Sequence, residues 1–170
     1  MLKEVMDVAA KRIADGELKS APEAELRLRM TIGNVYSEIA ERDAAEKILA
    51  PTLDLAEKEL ARITREQSGD HPELAQSLSV YGECLLSAGR GPEALQNVEK
   101  ALAMRRRLFQ GDNEYVAQSL SDVGSCLTSL NRRADALPFF QESLAMRKRL
   151  YPEGHADVVA TLLSLGSCFD

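Results

Sequence analysis

ELAQSLSVYGECLLSAGRGPEALQNVEKALAMRRRLF, residues 73–109, returns 42 residues later as YVAQSLSDVGSCLTSLNRRADALPFFQESLAMRKRLY, residues 115–151. Across one full period eighteen of 42 positions are identical, so the two stretches are copies of one unit. A third copy opens at Ala156 and runs for a single helix, ADVVATLLSLGSCFD. Self-similarity at this period belongs to stacked helical hairpins, in which no unit buries its apolar face alone and neighbours complete the core. The expected fold is therefore all-α, an α-solenoid of antiparallel helix pairs with about eight helices.

Composition narrows the function classes. Asp and Glu outnumber Lys and Arg by 27 to 21, a net charge of −6, which argues against a nucleic-acid binder and favours basic or neutral partners. No apolar run approaches the ~18 residues of a membrane span, so no membrane is expected. The opening MLKEVMDVAAKRIADG alternates charged and apolar positions and so lacks the apolar stretch of a signal peptide, which makes the cytoplasm the default location.

Outward from the repeats, Leu2, Val5, Met6, Ala9 and Ile13 predict one apolar face of a short helix ending near Gly16. A second helix is expected over 22–41. A third opens at Asp43, with Glu46 completing a capping box, and runs to about Glu66 with a bend near Ala50, because Pro51 removes a helix hydrogen bond. From Gly33 to His71 there are 38 residues, against 31 from Gly82 to Asn113. The seven extra residues are about two helical turns, which lengthen the pattern without rotating its apolar face. Regular helices are then expected over 72–88, 92–109, 114–130, 134–150 and 156–168. His71, Asn113 and His155 hold equivalent places before helix starts and predict local caps, as Asn does well. Gly89 and Asn131 hold equivalent places after helices, where a left-handed residue is needed. The organisation that follows is an N-terminal helix over 1–16, a lengthened first unit over 22–70, full units over 71–112 and 113–154, and a half unit over 155–170.

On these residues the chain resembles the tetratricopeptide repeat, in the 42-residue form of kinesin light chains and of many bacterial regulatory proteins. The family's packing positions fall on Leu78, Tyr81, Gly82, Leu85 and Ala94, then on Leu120, Val123, Gly124, Leu127 and Ala136. In the half unit they are Leu162, Leu165, Gly166 and Phe169; in the first they are Ile32, Gly33, Tyr36 and Ala45, with Arg29 in a place that is large and apolar in the family. Each mid-helix Gly costs about 1 kcal/mol relative to Ala, and close approach of the partner helix, through the small Ala94 or Ala136, is the expected return. The resemblance implies a right-handed superhelix with a concave face lined by the first helix of each pair. It also implies a protein-interaction module that performs no chemistry and needs no cofactor. The helix LKEVMDVAAKRI before the first hairpin is similar to arrays that follow bacterial serine/threonine kinase domains, which implies a piece of a larger signalling protein, with the half unit a truncation.

Projected onto the concave face, the exposed positions are Arg27, Thr31, Asn34 and Glu38, then Gln76, Ser79, Glu83 and Ser87, then Gln118, Ser121, Asp122 and Ser125. This polar set is the candidate groove for a peptide or partner helix, with Val80 and Leu86 as apolar patches. Two alternatives stand beside it: self-association through Val159, Leu162, Leu163 and Leu165 of the last helix, or binding of a small anion or phosphorylated ligand by Arg105–Arg107 and Arg147–Arg149. The simpler reading of those basic runs is a solvated outer face at helix C-termini. Cys84, Cys126 and Cys168, one per unit, are expected to pack rather than bind metal, because stacked units hold them too far apart for shared zinc ligation.

Overall fold

The computed structural model describes residues 1–152 and 154–169, apart from the side chain of Ser37; Glu153 in the last inter-unit loop and Asp170 lie outside it. Among the described residues there are eight helices and no strand: α1 (Leu2–Ala14), α2 (Pro22–Glu38), α3 (Arg42–Glu66), α4 (Pro72–Ser87), α5 (Gly91–Leu108), α6 (Glu114–Ser129), α7 (Arg133–Leu150) and α8 (Ala156–Gly166). Consecutive helices pack as antiparallel pairs, α2 with α3, α4 with α5 and α6 with α7, and each pair stacks on the next to form an all-α superhelix.

Two local devices set the pairs. His71, Asn113 and His155 are N-caps in extended conformation, and each side chain accepts a backbone N–H two residues on, at 3.3, 2.9 and 3.3 Å. At the other end, Gly89 and Asn131 adopt φ of +74° and +58°, and the next N–H reaches back to Leu85 O and Leu127 O at 2.8 Å. In the first unit the same left-handed place falls on Ala40, φ +61°, whose Cβ makes that conformation costly.

Each pair closes on a glycine. A Cβ on Gly33, Gly82 or Gly124 would stand within 2.7 Å of Leu49, Val98 or the Phe140 ring. The expected small partners, Ala94 and Ala136, are fully buried at the crossing, but the atoms that fill the glycine notch belong to residues one turn later, Val98 and Phe140. Gly166 meets nothing within 4 Å. The main core runs through Leu85, Val98, Leu102, Leu120, Val123, Leu127 and Phe140, and a smaller one joins Ile13 to Ile32, Tyr36, Ala45 and Ile48.

α3 continues through Pro51 as one helix of 25 residues, and three local expectations are corrected. The helix starts at Arg42 with Glu41 as an N-cap that makes no side-chain bond, so Asp43 is inside the first turn and forms no capping box. On α1 the buried side is Met6, Ala9, Ala10 and Ile13, while Leu2 and Val5 face solvent. The basic runs are a solvated face only in part: Arg106, Arg107, Lys148 and Arg149 are exposed, but Arg105 and Arg147 are 2% and 3% exposed.

Those two arginines join the pairs. The Arg105 guanidinium donates to Gln76 Oε1 of α4 at 2.7 Å, to Ser119 Oγ of α6 at 2.6 Å and to Tyr115 O at 3.2 Å. One period on, Arg147 donates to Gln118 Oε1 at 2.6 Å, Thr161 Oγ1 at 2.7 Å, Asp157 O at 3.1 Å and Glu114 at 3.0 Å. On the rim, Arg107 and Arg149 form two-pronged pairs with Asp70 and Asp112.

Replacing Arg147 with Met should lower the unfolding free energy by about 2–4 kcal/mol, since buried acceptors on two helices lose their donor. Arg149→Met, at an exposed pair, should change it by less than about 1 kcal/mol. Urea titration of both variants checks the contrast. The same assay should show Gly82→Ala destabilised by about 1–2 kcal/mol, overpacking against Val98 outweighing the helix preference for Ala. Gly166→Ala, in open space, should gain up to about 1 kcal/mol.

Candidate functional site

The first helices α2, α4 and α6 lie side by side. Besides a cavity of about 330 Å³ among Met30, Leu49, Leu53 and Cys84, where α2, α3 and α4 meet, two open over these helices. The larger, about 330 Å³, lies over the N-terminal halves of α2 and α4. Its floor is Leu26, Ala56, Ile63 and Val80, and its walls include Arg27, Gln76, Ser77, Arg105 and Tyr115. The second, about 290 Å³, spans the C-terminal halves of all three helices and is lined by Asn34, Glu83, Ser87, Asp122 and Ser125 over an apolar base of Met30, Leu86, Val98 and Cys126.

The larger cavity exists because the inter-unit arginine is missing there. Counting back one period from Arg105 reaches Ile63, and from Ser119 reaches Ser77. Counting back through the lengthened unit, the place of Gln76 is taken by Arg27. An arginine at 63 would have met Arg27 instead of a glutamine. Ile63 leaves the volume unfilled, and Arg27 turns to Glu23 at 3.0 Å.

The twelve residues projected onto this face divide accordingly. Asn34, Glu83, Ser87, Asp122 and Ser125 come together around the second cavity, and Arg27 and Gln76 around the larger. The remaining five line neither: Thr31 bonds Arg27 O, Glu38 is exposed, Ser79 is buried, Ser121 shares a hydrogen bond with Ser143, and Gln118 links Asp122 to Arg147. Gln76 and Gln118 are thus engaged in holding units together. Sequence reasoning missed Ile63 and Tyr115, and it read Arg105 as part of a solvated run or an anion site rather than as a wall of the larger cavity. The signal for Ile63 was present, as the one break in an arginine series with a 42-residue step.

Charge in the second cavity is unusual. Asp122 is 8% exposed, and loss of water pushes its carboxyl up to about 6, against the Gln118 hydrogen bond at 2.8 Å and the fields of Arg105 and Arg147. Its Oδ2 has no hydrogen-bond partner among the described residues. Glu83 keeps an open surface yet sits within the concavity, and desolvation, then the charge of Asp122, pushes it up to about 7 while Arg27 and Arg105 oppose. Burial raises the Cys84 and Cys126 thiols to about 12, so both stay protonated and behave as apolar packing groups. Of the six basic residues in the two runs, Arg105, Arg106, Arg107, Arg147 and Arg149 are engaged with acceptors on other helices or in the inter-unit loops, which leaves little there for an anion.

A tetratricopeptide repeat profile matches residues 52–107 and 73–149, together more than half of the chain. No curated protein sequence matches. Among solved structures, a Podosopora anserina protein of nearly identical TPR-like repeats, assigned to the kinesin light chains, superposes with a TM-score of 0.64. It is 13% identical, and the match covers 99% of this chain and 84% of that one. BtubC (BKLC) from P. vanneervenii gives 0.58 at 18% identity over 99% and 66%, and apo RapI gives 0.52 at 14% over 98% and 44%.

A carboxyl raised in the folded state favours folding most below its unfolded value, about 4, and that contribution is lost as pH rises through about 6 for Asp122 and about 7 for Glu83. Asp122→Asn should therefore be more stable than the parent by about 1–3 kcal/mol at pH 8, with the gap closing as pH falls to 4. Denaturant midpoints for both proteins across that range test the sign; a gap that widens toward acid contradicts it.

Proposed function

Because the chain belongs to the tetratricopeptide repeat family, a family of protein-interaction modules, we propose that it binds an extended peptide segment of a partner protein along its concave face and performs no chemistry. The observation that supports this most is the larger cavity, which opens where Ile63 replaces the arginine that elsewhere fills the space between units. Its apolar floor suits one side chain of a peptide, and Arg27, Ser77 and Tyr115 at its walls suit the backbone around it. The second cavity lies further along the same three helices, so a peptide in one direction meets both. Membership in a larger bacterial signalling protein belongs to the same proposal, with the array as its partner-recruiting part.

A second reading rests on α8, where Val159, Leu162 and Leu163 are 57%, 44% and 72% exposed, while Leu165, expected to be exposed with them, packs against the main core. A second copy of the chain packing there would make a dimer, and sedimentation equilibrium with a Leu163→Glu control separates that from groove binding.

The groove is tested by restoring the missing joint. In the double variant Arg27→Gln with Ile63→Arg, the new guanidinium meets the introduced glutamine side chain, the Ser77 hydroxyl and the Glu73 carbonyl, the set that Arg105 has one period on. The cavity fills, the melting temperature holds, and peptides selected on the parent from a phage-displayed random dodecamer library lose at least tenfold in affinity. Undiminished binding to a folded double variant moves the site elsewhere.

A further inference from the structure

We propose that Glu83 and Asp122 form the seat for one cationic side chain of the bound peptide, a lysine or an arginine, so that the module selects basic segments. The inference rests on the groove reading above and names its chemistry. Asp122 is more than nine-tenths buried, lines the second cavity, and has one carboxylate oxygen with no partner among the described residues. A buried carboxylate with an unmet oxygen is costly, and such an atom calls for an explanation. The two buried cations nearby do not meet it. Arg105 directs its donors to Gln76, Ser119 and Tyr115 O; Arg147 directs its two terminal nitrogens to Gln118, Glu114, Thr161 and Asp157 O, and its Nε, though unpartnered among the described residues, makes no hydrogen bond to Asp122. Glu83 reaches the same cavity from α4 and adds a second negative charge, and Asn34, Ser87 and Ser125 line it with further acceptors.

The shape agrees with a long basic side chain rather than a metal ion. Met30, Leu86, Val98 and Cys126 give an apolar base along which a lysine or arginine stem can lie, while the charged end meets the carboxylates. Calcium asks for six to eight oxygens converging within about 2.6 Å, and no three His, Cys, Asp or Glu residues form such a group among the described residues. An arginine or lysine needs only the two carboxylates and one or two neutral acceptors. The net charge of −6 adds attraction at longer range.

The closing experiment uses the dodecamer peptides selected on the full chain, with binding followed by fluorescence anisotropy at pH 8. Each peptide that the filled-cavity double variant rejects should carry a Lys or Arg at one fixed place. Changing that residue to norleucine should weaken binding at least tenfold to the parent chain but less than threefold to Glu83→Gln or Asp122→Asn. Glu83→Gln alters an open side chain and carries the test should Asp122→Asn disturb folding. Groove-bound peptides with no fixed basic residue, or an equal norleucine loss on parent and variants, overturn the cation seat and leave the groove reading standing. Peptides indifferent to the double variant overturn the groove reading itself. Displacement of the peptide by millimolar calcium chloride, with calcium binding lost in Asp122→Asn, overturns the proposal in favour of a metal.

Discussion

The guanidinium at Arg105, and again at Arg147, is the interaction on which the stacking of this chain depends. Each sits where the second helix of one pair meets the first helices of two pairs, and it donates to acceptors on both. A packed apolar contact between α5 and α6 would allow several registers. A planar donor group with five N–H bonds in fixed directions allows far fewer, because its acceptors must stand where those bonds point. The hydrogen bonds to Gln76 and Gln118 then tie the inner face to the joint. Two of the residues projected as free groove surface are, for this reason, part of the frame.

The fold was legible because one unit was written more than twice. Offset by 42, glycine, leucine and alanine recur at the positions where helices cross, and that recurrence needs no knowledge of what each contact is. What the contact is was less legible. Ala94 and Ala136 stood out as small, yet the notch left by the glycines is filled by Val98 and by the Phe140 ring, residues that differ between the copies. Identity marks where space is tight, and the side chain that takes up the slack is free to vary. The arginines show the opposite failure. They are identical in both copies, but a charged run at a helix end has an ordinary explanation in the helix dipole, and nothing in one sequence reveals that the first of three is buried.

The groove was legible only in part, for a related reason. Helical projection places a residue on a face, and it cannot tell a side chain that waits for a ligand from one already paired. Ser87 and Ser125 line the cavity and make no side-chain hydrogen bond among the described residues; Ser121, one turn from Ser125, is bonded to Ser143. The informative residue was an exception to the repeat. Ile63 breaks the arginine series, Arg27 stands where a glutamine would, and a volume opens between them. In a molecule built of copies, the unit that departs from the others is where a joint has been given up, and the space left there is proposed as the place for a peptide side chain.

Asp122 carries the same logic into electrostatics. Its carboxylate is desolvated, half-satisfied by Gln118, and held near two arginines whose hydrogen bonds go to other groups. An asparagine would keep the hydrogen bond to Gln118 without the buried charge, and in the copy before it the same place is Val80, an apolar residue. The fold therefore does not require an acid there. A charge that the frame can do without, facing a cavity on the inner surface with Glu83 beside it, lowers the stability of the empty chain and raises its attraction for a positive group. That trade is unfavourable for a bare scaffold and favourable for a surface that must distinguish one segment of a partner from another.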